Sequence, residues 1–122
     1  MPTISVPREE WLAFLDSFSQ QHLGWLITLE VIGPDLGDQV EVSGLPLEGV
    51  TVGLNTYGQE EITVSAGRPQ GPRISHRIVS PSAVLLKRTD EGADEALEIT
   101  ANGERNLIRF RSAMRLELVD AI

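Results

Sequence analysis

Few residues in this chain have chemistry to offer: two histidines, a set of strand arginines and one acidic run. His22 follows the apolar positions Trp11, Phe14, Leu15 and Phe18 at helical spacing. His76 alternates with Ile74 and Ile78 on one side of a strand pattern. Either imidazole has the means to act as a ligand or a general base. The favoured reading is structural for both. For His22 that role is to satisfy the last carbonyls of a helix. Arg73, Arg77, Arg109 and Arg111 all fall on the solvent side of their strand patterns. Were those strands neighbours, the arginines would form a basic patch suited to a carboxylate, a phosphate or an acidic partner surface. The candidate ligand-binding set is therefore His22, His76, Arg73, Arg77, Arg109 and Arg111, with a pocket beneath the helix near His76, Arg77 and Arg109.

Asp90, Glu91, Asp94, Glu95 and Glu98 supply the oxygens a hard cation needs. Their spacing does not match a calcium loop. Strand alternation turns Asp94 and Glu98 one way and Glu95 the other, which disperses them, so a solvated hairpin end is expected instead. The chain contains no glycine-rich phosphate loop, no Gly-x-Ser-x-Gly and no metalloprotease motif. Neither a metal nor a cofactor is expected, and no catalytic residue stands out.

Composition narrows the classes further. The 122 residues suit one domain, taken here as 1–122. The absence of cysteine removes disulfides, thiol catalysis and cysteine-ligated metals. No apolar run is long enough to span a bilayer, and Met1 to Val6 lack the features of a secretory signal, so a cytoplasmic location is expected. The net charge of −8 is unevenly spread: residues 1–67 carry ten acids and one base, while residues 68–122 carry eight acids and nine bases. An acidic chain is repelled by phosphate backbones, which disfavours a nucleic-acid partner.

The elements that must position these groups start with a helix from Pro7 to His22, stopped by Gly24. Trp25 to Ile32 then alternates as a strand covered on much of both faces. Pro7–Ile32 holds four of the six aromatic residues, so this segment is expected to pack directly on the remaining sheet. After the turn at Gly33–Asp38, Val40 and Val42 mark a short, edge-like strand. A parity shift near Gly49 indicates a bulge or bend. Ile62, Val64 and Ala66 form a half-buried strand, and Gly67–Pro72 is an irregular loop. Val84 and Leu86 follow, then a turn at Asp90–Gly92. Asn102-Gly103 predicts a two-residue hairpin turn before Ile108 and Phe110. Met114, Leu116 and Leu118 mark a last strand or arm. The predicted class is mostly β, α+β by strict count: one N-terminal helix on a curled antiparallel sheet or small barrel of about seven strands.

Pro7-Arg8-Glu9-Glu10-Trp11, Phe14, Asp16 to Phe18, His22, Gly24 and Trp25 open a set of shared features. Leu45-Pro46-Leu47-Glu48-Gly49, His76, Ile78, Pro81, Thr89 to Leu97 and Arg109-Phe110-Arg111-Ser112 continue it. With these the chain resembles a bacterial family known as domain of unknown function five-three-three-five. The resemblance covers nearly the whole length and implies a small stand-alone bacterial protein. It supplies no activity, cofactor or site. The functional expectation is a non-enzymatic module that binds another protein or its own copy as a homodimer. The alternatives are a small-ligand binder or enzyme, and a small-barrel nucleic-acid binder.

Overall fold

The computed structural model describes residues 3–35 and 37–110. The helical stripe takes effect where the spacing predicts it. A 3-10 turn at Arg8–Glu10 leads into α1, Trp11–Gln21, which buries Trp11, Leu15 and Phe18. Pro7 is extended, with φ −60° and ψ 146°, so it precedes the turn at Arg8 rather than occupying the first helical turn. The Trp11 indole donates to the Val6 carbonyl at 2.9 Å, and the Val6 amide donates to Val84 at 2.9 Å. The start of the helix is thus tied to the sheet without a side-chain cap. Gly24, at φ +85°, reverses the chain into the left-handed conformation that glycine adopts without strain.

Among the described residues eight strands follow the alternation: β1 (Thr3–Ser5), β2 (Leu26–Gly33), β3 (Gly37–Leu54), β4 (Glu60–Gly67), β5 (Arg73–Val79), β6 (Ala83–Arg88), β7 (Asp94–Ala101) and β8 (Glu104–Phe110). They form one antiparallel sheet in the order β1-β6-β7-β8-β2-β3-β4-β5, curled but not closed. Asn102 and Gly103 both have positive φ, as a tight hairpin between β7 and β8 requires.

Two expectations change. Val40 and Val42 do not form a separate edge strand. They open β3, an 18-residue strand that pairs first with β2 and then with β4. Register shifts near Ser43–Leu45 and at Leu47–Gly49 let this strand bend from one half of the sheet to the other. Trp25 lies before β2 and is 40% exposed, so the strand's buried side starts at Ile27. Met114, Leu116 and Leu118 lie outside the described residues.

Beyond Pro46, β3 leaves β2, and on that side no strand pairs with it among the described residues. There α1 covers it: the Ser19 hydroxyl accepts from the Val50 amide at 2.8 Å and donates to the Val50 carbonyl at 3.0 Å. One serine thus satisfies both backbone groups that Val50, paired with Val64 of β4 on its other side, turns toward α1. The inner face of the curl buries Ile27, Leu29, Val50, Ile62, Val64, Val84, Leu97, Ile99 and Ile108 against Trp11, Leu15 and Phe18. Among the described residues no helix is long and apolar enough to cross a membrane.

Candidate functional site

Where α1 stops, a buried polar cluster forms. The His22 ring is enclosed by Phe18, Trp25 and Phe110, and it stacks on Phe110 at 4.5 Å between centroids. Its Nδ1 lies 2.7 Å from the Phe18 carbonyl and its Nε2 lies 3.0 Å from Asp94 Oδ2. Each ring nitrogen faces a polar partner and the residue is buried, so neither nitrogen is presented to a substrate. Asp94 is in turn bound by Arg88, whose Nε donates to Oδ1 at 3.0 Å.

Alternation alone places Asp94 on the same side as Glu98, and the structure corrects this. Lys87 pairs with Ala96, but Arg88 pairs with Asp94, so Glu95 is an extra residue in the ladder. That bulge turns Asp94 inward to His22 while Glu98 stays outside. Arg88 and Asp94 are the functional candidates that sequence reasoning missed. The only available signal was the acidic, glycine-containing loop Thr89–Ala93, which closes with bonds between Thr89 and Ala93.

Beside the cluster, a cleft of about 140 Å³ opens between α1 and the base of the β6–β7 hairpin. Phe14, Phe18 and Leu86 form its apolar walls, and Ser17, Gln21, Arg88 and Asp94 its polar rim. It lies against the helix, and His76, Arg77 and Arg109 do not line it.

His76 belongs to a second place. Its Nε2 donates to Asn106 Oδ1 at 2.9 Å, and Asn106 Nδ2 donates to the Ile99 carbonyl at 3.0 Å. Asn102 Nδ2 also donates to the Val79 carbonyl, at 3.4 Å. These bonds fasten β5 across the inner face of β7 and β8. His22 contacts Phe110 and His76 contacts Asn106, four residues apart on β8 and hence roughly 13 Å. The two histidines do not share a site.

Nor do the arginines converge. Arg73 and Arg77 lie on the terminal strand β5, and Arg109 lies on the interior strand β8. Arg73 pairs with Glu48 at 2.8 Å and Arg109 pairs with Glu30. Arg111 lies outside the described residues. On the outer face, Glu98 is buried beneath Arg105, at 3.0 Å, and Lys87, at 3.1 Å. Bonds from Arg105, then from Lys87, hold its carboxyl below the usual range against the opposing effect of burial. Glu30 is likewise lowered, mainly by Arg109, and the exposed Asp38 is raised by its hydrogen bond to Glu30. These are structural ion pairs with no cleft in front of them. Among the described residues, no three His, Asp or Glu side chains gather as metal ligands would.

Comparison with known proteins agrees with the family resemblance. Residues 3–119 match the family described as "Family of unknown function (DUF5335)". An uncharacterized protein of Aquifex aeolicus (strain VF5) is 26% identical over 116 residues, covering 95% of this chain and 98% of that relative. No solved structure matches. His22, Trp25 and Asp94 all lie in stretches that carry the resemblance, and they meet at the end of α1.

Proposed function

We infer, from the premise that the chain belongs to the DUF5335 family of unknown function, that this protein is a non-enzymatic binding module. In this reading, the edge of β5 that no described strand covers takes an acidic, extended segment of a partner protein. Against catalysis stands the use of both histidines in internal bonds. His22 has two acceptors, and His76 Nε2 is committed to Asn106.

The backbone of β5 carries the positive argument. The Ser80 amide bonds to Glu60 on β4, whereas the Val79 carbonyl turns away to Asn102. Antiparallel alternation then turns the amides and carbonyls of Arg73, Ser75 and Arg77 away from β4. Among the described residues β5 pairs with β4 alone. An extended peptide can add itself to such an edge through main-chain bonds. Arg73 and Arg77 flank this edge with positive charge on a molecule of net charge −8. A second copy pairing antiparallel about Ser75 would set Arg73 against Arg77, and like charges facing across a ladder repel. An acidic strand would meet no such barrier, and the exposed Arg73–Glu48 pair is the kind of surface contact that exchanges at little cost.

Ser75→Pro tests this reading. It removes an outward N–H and spares every bond to β4, as proline at an edge can. Fluorescence anisotropy should show binding of a labelled extended peptide with alternating Asp and apolar residues. Ser75→Pro should abolish that binding at unchanged melting temperature, and Arg73→Glu with Arg77→Glu should weaken it. Equal binding by Ser75→Pro, or a dimer by light scattering that Ser75→Pro dissolves without any peptide affinity, would remove the acidic-segment reading.

A further inference from the structure

We propose that the cleft between α1 and the β6–β7 hairpin binds a small monocarboxylate with a compact apolar body. This site is separate from the β5 edge and does not depend on it. Arg88 is the anchor. Its Nε is committed to Asp94 Oδ1, which fixes the guanidinium plane at the rim and leaves the two terminal nitrogens uncommitted among the described residues. Those nitrogens can donate in parallel to one carboxylate, the planar match that distinguishes arginine from lysine.

Asp94 would repel an anion if its charge stood alone. Here Oδ1 is bound by Arg88 and Oδ2 by His22, at 3.0 Å each, so both carboxylate oxygens are turned to cations or donors. Ser17 and Gln21 add side chains capable of donating on the helix side of the rim. Behind the rim, Phe14, Phe18 and Leu86 offer only apolar surface.

Volume sets the size of the ligand. A cavity of about 150 Å³ with apolar walls accommodates a benzene ring. The 140 Å³ here therefore suits one six-membered ring or a short branched chain, with the carboxylate left at the mouth. A dicarboxylate would drive its second charge against Phe14 and Phe18, and a nucleotide is too large.

Benzoate is the probe, with benzyl alcohol as its uncharged counterpart. Two-dimensional NMR of the full chain should show saturable shifts confined to residues around Phe14, Ser17, Leu86 and Arg88. Benzyl alcohol should bind about tenfold more weakly, as loss of a charge-assisted pair implies. Arg88→Leu should abolish benzoate binding. Because that variant also takes a partner from Asp94, Ser17→Trp serves as a second: Ser17 is exposed, and the indole would fill the cleft without disturbing the core. The absence of saturable shifts, equal affinity for benzoate and benzyl alcohol, or benzoate binding retained in Ser17→Trp would each overturn the proposal.

Discussion

His22 and His76 start from similar positions, each a polar ring on an apolar stripe, and end in different physical settings. His22 is held on every side: two acceptors, a stacked phenylalanine and the edge of Trp25. His76 is half-buried and holds one bond, to an asparagine on the opposite layer. The first region is organised by α1 and excludes water. The second is a seam between two parts of a curled sheet, where a few side-chain bonds keep β5 in place. The contrast teaches that an apolar stripe establishes burial without establishing role. What a buried polar residue does depends on which acceptors the fold brings to it.

The largest expected effect breaks the support of the first region. Trp11→Ala should cost about 3–5 kcal/mol in urea unfolding, because a fully packed indole leaves a cavity and an unpaired Val6 carbonyl. An unchanged melting temperature would mean that α1 does not hold the sheet. Next, His22→Ala should cost about 2–4 kcal/mol, combining a lost aromatic stack with two broken bonds, one to a buried carbonyl and one to the part-buried Asp94. His76→Ala should cost only about 1 kcal/mol, the net value of one hydrogen bond. Equal losses for the two histidines would erase the distinction drawn above. Gly103→Ala should cost about 1–2 kcal/mol through a strained left-handed residue, and should also loosen the Asn102 bond to Val79. Faster amide exchange confined to the β5 side of the seam would identify the second effect.

The smallest effect is in pH dependence. Glu98 has its carboxyl lowered in the folded state, so the unfolded chain binds a proton at a higher pH than the native one does. Its stabilising contribution is therefore full above the unfolded value, about 4.5, and is lost as pH falls below it. Asp38 is shifted the other way and offsets part of that slope. Glu98→Gln should flatten the loss of stability in acid relative to the parent chain, measured as urea midpoints along a pH series. An identical slope in both proteins would show that Arg105 and Lys87 do not act on Glu98 as the geometry implies.

Several elements are legible in the sequence. The spacing of Trp11, Leu15 and Phe18 identified the helix and its buried side. The alternation of Ile62, Val64 and Ala66 identified β4, and Asn102-Gly103 identified the turn between β7 and β8. Each depends on neighbours within a few residues, where dihedral preference and side-chain period act directly. The site residues were less accessible. His22 was singled out correctly as a polar group at a helix end, but its partners Asp94 and Arg88 were not. A single extra residue at Glu95 reverses the face of everything before it in the strand, and no local preference announces that shift. The arginines failed as a patch for a similar reason: their outward facing was readable, whereas the placement of β5 at the sheet's end and β8 inside it was not.

The sequence by itself determined the periods: where the chain coils, where it runs extended, which side of each element avoids water, and how much charge the surface carries. Those properties follow from residue size, polarity and backbone freedom over short distances. Only the tertiary structure decided that Asp94 turns inward, that β3 runs unbroken through two halves of the sheet, and that one histidine is enclosed while the other bridges a seam. These outcomes depend on strand order and register, which are set by the whole chain finding one arrangement that buries its apolar faces and leaves few polar groups unpaired.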